Sequence, residues 1–95
     1  MPVVSVRVPT QLRSLTDGKG EIDVEVQGAT AGEALRALDA RYPGLGERLF
    51  DEKGALRRFV NVFVADEDVR FALGLETPVP EGATVSIIPA VAGGA

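Results

Sequence analysis

Three stretches of the chain alternate apolar and polar residues with a period of two, which is typical of strands with one buried face. The apolar positions are Val4, Val6 and Val8 in the first stretch, Ile22, Val24 and Val26 in the second, and Val60, Val62 and Val64 in the third. Pro9 ends the first stretch, and the turn sequence Asp17-Gly18-Lys19-Gly20 precedes the second, so these two are predicted to form a hairpin. We also predict a short return strand over 69–71 and a final strand over 84–88.

One amphipathic helix is predicted between the second and third strands. Thr30 and Glu33 have the spacing of a capping box, in which two side chains satisfy free backbone N–H groups at the start of a helix. Pro43-Gly44 ends the helix, and the segment after it is predicted to be irregular. The apolar stripe of this helix comprises Ala31, Ala34, Leu35, Leu38 and Tyr42.

The order β-β-α-β-β-β indicates a two-layer α+β domain. When a first hairpin is followed by a crossing helix and the last strand returns to the middle of the sheet, the arrangement is the β-grasp, or ubiquitin-like, fold. We predict this fold over residues 1–89, with a mixed sheet of four or five strands packed on one main helix. A ferredoxin-like split would need a second helix, which the pattern does not predict. Residues 90–95 are predicted to form a flexible tail.

The strand pattern also assigns the two faces of the sheet. The face toward the helix takes Val4, Val6, Val8, Ile22, Val24, Val26, Val60, Val62, Val64, Val85 and Ile87. The opposite face is mostly polar, yet it receives Phe59, Phe63 and Ile88. Aromatic residues within a polar rim are typical of protein interfaces, so a docking patch is one interpretation. The alternatives are isolated surface apolar residues or a loop that covers them.

The composition excludes much of the usual enzyme chemistry. The 95 residues contain no cysteine and no histidine, which removes thiol nucleophiles and the commonest general base and metal ligand. A formal net charge of −4 disfavours nucleic acid as a partner. The sequence shows neither a signal-peptide pattern nor an apolar run long enough to span a membrane, so a cytoplasmic location is expected. Asp66-Glu67-Asp68 lacks the spacing of a calcium loop and is interpreted as a solvated turn, and Arg57-Arg58 as a solvated pair or a partner contact.

The sequence Gly93-Gly94, followed by Ala95, is the most distinctive chemical feature. Two glycines without Cβ atoms can thread a channel that excludes side chains. A carboxylate at Gly94 is a poor electrophile until a partner enzyme converts it with ATP into an acyl-adenylate, from which a sulfur donor displaces AMP. In that interpretation the chain is a group carrier and the stretch Ala90-Val91-Ala92 enters the partner. Glycine-rich ends are commonly just frayed, which is the alternative.

The sequence surrounding this tail resembles the MoaD/ThiS family of ubiquitin-like sulfur carriers, and within it the carriers for cysteine synthesis. The resemblance lies in residues 59–71, in Gly74-Leu75-Glu76-Thr77-Pro78, and in Val85-Ser86-Ile87-Ile88-Pro89 with the tail that follows. Shorter matches are Val8-Pro9-Thr10 and Tyr42-Pro43-Gly44-Leu45. Family members normally finish at the second glycine, so Ala95 is a departure.

The resemblance implies a β-grasp fold and a thiocarboxylate at Gly94, formed by an E1-like enzyme that uses ATP and a sulfur donor. For the cysteine branch it also implies a synthase that uses pyridoxal phosphate and a metal-dependent peptidase. We expect this peptidase to remove Ala95 as well. The chain itself is expected to bind no cofactor or metal and to act as a protein co-substrate, not as an enzyme.

Three alternatives remain open on the sequence alone. Sulfur could pass to a thiosugar, molybdopterin or thiamin instead of cysteine. The chain could also be a protein modifier that is conjugated to lysines through Gly94, or a β-grasp interaction module with an inert tail. Only Lys19 and Lys53 are present, which gives few sites for self-linked polymers and mildly favours the carrier.

Overall fold

The structure is a computed structural model that describes residues 2–58 and 60–89. Within these residues a five-stranded mixed sheet packs on one main helix. The strands are β1 Val3–Arg7, β2 Glu21–Glu25, β3 Val60–Val64, β4 Glu67–Asp68 and β5 Thr84–Pro89, and the helices are α1 Ala31–Arg41 and the one-turn α2 Leu45–Leu49. Short 3-10 helices span Thr10–Thr16, Val69–Phe71 and Gly74–Glu76.

The strand order is β2-β1-β5-β3-β4, with the last strand of the chain in the centre. β5 pairs in parallel with β1 and antiparallel with β3, while β1 and β2 form the predicted antiparallel hairpin. The prediction of a β-grasp fold with a mixed sheet is therefore confirmed.

The core lies between the sheet and α1. All eleven strand residues assigned to the helix-facing side of the sheet are buried, and so are Ala31, Ala34, Leu35 and Leu38 of α1. Tyr42, the last position of the predicted stripe, is only half-buried and packs against the edge of the core. Alternation along strands and the helical stripe thus predict the same core from both layers.

The start of α1 has the predicted capping residues in a modified arrangement. The Thr30 hydroxyl accepts a hydrogen bond from the Glu33 backbone N–H at 3.2 Å. The Glu33 carboxylate accepts from the N–H of Gly28 at 2.8 Å, two residues before the N-cap that a capping box uses. The cap therefore also holds the chain that leads into the helix.

Two predictions about local structure are wrong. The segment after α1 is not irregular throughout, because α2 forms one helical turn that buries Leu45 and Leu49. The return strand was predicted over 69–71, but the strand is Glu67–Asp68 and residues 69–71 form a 3-10 helix. Val69 is fully buried in that helix, so its apolar character reflects core packing and not sheet pairing.

The turn between β3 and β4 contains a strained residue. Val64 pairs with Glu67, which leaves Ala65 and Asp66 as a two-residue loop, and Ala65 has a positive φ of 57°. Glycine is favoured at the first position of such a turn when φ is positive there, because a Cβ clashes in the left-handed region.

We expect Ala65→Gly to raise the free energy of unfolding by roughly 0.5–1 kcal/mol, since the relieved strain exceeds the added chain entropy of glycine. The matched control is Ala40→Gly, the same change at an exposed position of α1, which should lower it by about 1 kcal/mol. Urea unfolding of both variants measures the two effects. A destabilised Ala65→Gly variant would contradict this account of the turn.

Candidate functional site

Most of the predicted site residues lie outside the described part of the chain. These are Gly93, Gly94 and Ala95, the preceding Ala90, Val91 and Ala92, and also Phe59 of the predicted patch. Their roles stay predictions, as does the division into a domain over 1–89 and a tail over 90–95. The structure describes the platform from which that tail leaves.

The platform is the C-terminal end of β5. On its core side, Val85 and Ile87 are buried against the helical layer. On the opposite side, Ser86 is half-buried and Ile88 is 47% exposed. Backbone pairing continues on the β3 side as far as Pro89, which lies opposite Val60. The sheet therefore holds the chain firmly up to the residue before the tail.

Two residues of the predicted docking patch lie close together on the outer face. Phe63 lies opposite Ser86 in the ladder, and Ile88 lies two residues further along β5, opposite Asn61. Phe63 and Ile88 are thus diagonal neighbours, a spacing of roughly 7–8 Å that aromatic and long side chains bridge. Phe63 is half-buried, whereas Ile88 is exposed. We call Phe63 and Ile88 the outer patch.

A groove of about 380 Å³ lies beside the outer patch, between β5 and the segment that follows β1. Its wall is formed by the start of the first 3-10 helix. The Arg13 side chain stabilises this segment by donating from Nε to the Val8 carbonyl at 3.1 Å. The groove is lined by Arg7, Val8, Pro9, Thr10, Gln11, Arg13, Ser86, Ile87 and Ile88.

Arg70 connects three segments on the other side of Ile88. Its Nη1 donates to the Asn61 side-chain oxygen at 2.7 Å, and its Nη2 donates to the Arg57 carbonyl at 2.8 Å. The Asp68 carboxylate accepts from the Arg70 backbone N–H at 2.9 Å and so caps the 3-10 helix. The sequence pattern does not indicate this contact, because it predicts Arg70 in a strand.

The charged clusters noted in the sequence have structural roles. Asp68 caps the 3-10 helix, whereas Asp66 and Glu67 are exposed at the turn, as the solvated-turn interpretation expected. Arg57 is not merely solvated, because its Nε donates to the Glu47 carbonyl at 2.8 Å. Within residues 2–58 and 60–89, no group of three or more acidic side chains is arranged to hold a metal ion. In the same residues no helix has both the length and the apolar character to cross a membrane.

Phe71 is a candidate functional residue that the sequence did not single out. It is 86% exposed, more than any other large apolar side chain in the part of the chain that the structure describes. The strand predicted over 69–71 did not indicate that Phe71 is exposed. A segment of only three residues gives no periodic signal that distinguishes a strand from a 3-10 turn.

This chain belongs to the ThiS family, whose sequence model matches residues 6–94. The sulfur carrier protein CysO of Mycobacterium tuberculosis is 48% identical over 93 residues, which cover 96% of this chain and 98% of that protein. The family resemblance stated from the sequence is therefore confirmed.

Two further similarities are to a solved structure and to a second relative of a different kind. A chain of the crystal structure of the Amycolatopsis orientalis BexX/CysO complex superposes with a TM-score of 0.84 at 47% identity, covering 96% of this chain and 99% of that chain. Small archaeal modifier protein 3 of Haloferax volcanii is 41% identical over 66 residues, which cover 70% of this chain and 71% of that protein.

We expect Arg70→Met to lower the free energy of unfolding by about 1 kcal/mol, because it removes two hydrogen bonds at an exposed site but keeps the aliphatic stem. The control is Arg36→Met on the exposed side of α1, which should change stability by less than about 0.5 kcal/mol. Chemical unfolding gives the stability, and amide exchange at Asn61 reports whether the start of β3 loosens. Equal effects of both substitutions would show that the Arg70 contacts contribute nothing.

Proposed function

We propose that this chain is a sulfur carrier protein whose working group is a thiocarboxylate at Gly94. The observation that supports this most is the 48% identity, over nearly the full length of both chains, to the sulfur carrier protein CysO. The absence of histidine and cysteine fits a co-substrate whose chemistry is performed by other enzymes.

The proposed chemistry requires no side chain of the carrier. A carboxylate oxygen of Gly94 attacks the α-phosphorus of ATP, and pyrophosphate leaves. Sulfide then attacks the carbonyl carbon of the acyl-adenylate, and the C–O bond to AMP breaks. The product is a thiocarboxylate in which sulfur replaces one oxygen. The ATP and the sulfur donor belong to an E1-like partner enzyme.

A free carboxylate at Gly94 requires that the Gly94–Ala95 peptide bond be hydrolysed first. An amide carbonyl bonded to Ala95 has no carboxylate oxygen to adenylate. A metal-dependent peptidase, which polarises the carbonyl and delivers hydroxide, is the class of enzyme suited to that cleavage.

Cysteine is the proposed end product of the sulfur transfer. A synthase that uses pyridoxal phosphate would present an aminoacrylate, to which the thiocarboxylate sulfur adds. An S-to-N acyl shift would then leave cysteine on the tail for the peptidase to release. The alternative acceptor is a precursor of a thiosugar, of molybdopterin or of thiamin.

The platform suits delivery of the tail into a partner. Residues 90–94 span at most about 17 Å when fully extended, at roughly 3.3 Å per residue. The sheet secures the chain as far as Pro89, while the outer patch of Phe63 and Ile88 lies beside the point of departure. We propose that the patch, with Phe59, docks on the partner and that Ala90, Val91 and Ala92 enter its channel.

The carrier assignment is tested by mass spectrometry. The chain ending at Gly94, incubated with the E1-like enzyme of the same genome, ATP and sulfide, should gain about 16 Da from the exchange of oxygen for sulfur. The chain that retains Ala95 should gain nothing unless the peptidase is added. No gain by the trimmed chain would contradict the carrier function, and a gain by the Ala95-bearing chain would contradict only the need for trimming.

A protein modifier is the second candidate function, and the similarity to small archaeal modifier protein 3 is the observation that favours it. This function would place Gly94 in isopeptide bonds to lysines of other proteins. Proteomic detection of Gly-Gly remnants on lysines, dependent on this chain, would support it. Both functions share the adenylated intermediate, so the thiocarboxylate alone distinguishes the carrier.

Truncation of the outer patch should weaken activation without unfolding the domain. We expect Ile88→Ala and Phe63→Ala each to raise the KM for the carrier by about 5- to 10-fold, with kcat nearly unchanged. Val3→Ala is the matched control, because Val3 is an exposed aliphatic residue on the same outer face of the sheet. It lies at the far end of β1, about 13 Å from Arg7 along the strand. If the control raises KM as much as Ile88→Ala, the patch has no special role.

A further inference from the structure

The end of the sheet that releases the tail is flanked by arginines, although the chain as a whole is acidic, with a net charge of −4. Arg7 and Arg13 line the same groove as Ile88. Arg70 lies on the other side, since it donates to Asn61, the ladder partner of Ile88. We call Arg7, Arg13 and Arg70 the arginine bracket.

The three arginines are held differently. Arg7 is exposed and faces outward opposite Ser86 of β5, whereas Arg13 is half-buried and bonded to the Val8 carbonyl. Arg70 is exposed but oriented by its bonds to Asn61 and Arg57. Arg13 and Arg70 are therefore pre-organised on either side of the outer patch, which lowers the entropic cost of using them for binding.

Carboxylates flank the arginines along the two edges of the same face. Glu21, Asp23 and Glu25 are the exposed positions of the edge strand β2. Glu21 lies opposite Arg7 and Asp23 accepts a hydrogen bond from Ser5 at 2.7 Å, while Asp68 lies opposite Phe63 at the other edge. The outer face thus carries acidic edges and a basic region centred on Ile88. This pattern of a basic centre between acidic edges can be recognised by a partner with complementary charges.

We propose that the arginine bracket docks on the activating enzyme, against a surface that is acidic around the mouth of the channel for the tail. This inference rests on the proposed function, because it requires an enzyme that receives the tail. The deep end of that channel must accommodate the negative carboxylate of Gly94, so it has the opposite charge from the mouth. The positive base and negative tip of the tail, at most about 17 Å apart, then fix the direction of insertion.

The test measures activation of the chain ending at Gly94 by the E1-like enzyme of the same genome, as ATP-dependent release of pyrophosphate. We expect Arg7→Glu and Arg70→Glu each to raise KM by at least about 10-fold at low salt, with kcat changed by less than about 2-fold. The matched control Arg36→Glu makes the same change in net charge on α1 and should alter KM by less than about 2-fold. Because Arg70 also supports the fold, Arg7→Glu provides the result if Arg70→Glu unfolds.

Salt provides a second, independent measurement. The KM of the unsubstituted chain should rise between about 50 mM and about 300 mM NaCl, and Arg7→Glu should flatten this dependence, since screening acts on pairs that the variant no longer has. If the unsubstituted chain is not activated at all, the proposed function fails and the inference with it. If it is activated but Arg7→Glu behaves like Arg36→Glu, the inference alone is overturned. A concentration-dependent dimer lost in Arg7→Glu, with KM unchanged, would assign the bracket to a second copy of this chain.

Discussion

Strand β5 lies between β1 and β3, and its backbone ladder joins two hairpins that are otherwise separate in the sheet. The pairing with β1 brings together residues about 80 positions apart, which costs loop-closure entropy. Only the burial of apolar side chains offsets that cost. Val85 and Ile87 supply that burial on one side of the strand. The other side and the C-terminal end are then left for binding. One strand therefore carries the stability of the fold and, in the proposed function, the delivery of the tail.

The regular parts of this architecture are predictable because their periodicity is strong. Val4, Val6 and Val8 can be buried together only in a strand, and the stripe from Ala31 to Leu38 only in a helix. The 3-10 helices lack such a signal, because three residues per turn over one or two turns gives no distinctive pattern. Val69 illustrates the ambiguity: a buried valine beside β4 is consistent with a strand, yet a 3-10 turn buries it equally well.

The candidate site, too, is only partly predictable from the sequence. Phe63 and Ile88 were predictable because alternation placed them on the polar face of their strands. The arginine bracket was not, because Arg7, Arg13 and Arg70 are distant in sequence. Only the parallel pairing of β1 with β5, and the fold-back that joins Arg70 to Asn61, bring them to the same end of the sheet. The chemistry of the tail is local in sequence, whereas the surface that presents it is a product of the topology.

A carrier must bind several enzymes in turn and leave each of them, which limits how much surface it can use. An outer patch of one half-buried and one exposed apolar side chain, surrounded by charges, is suited to a small and transient interface. Charges around it raise the rate of encounter more than the lifetime of the complex. In the proposed function, commitment then comes from the covalent step at Gly94, which is coupled to ATP and does not depend on docking affinity. In this view the modest outer face is a requirement of the function, because a larger apolar surface would slow release after each transfer.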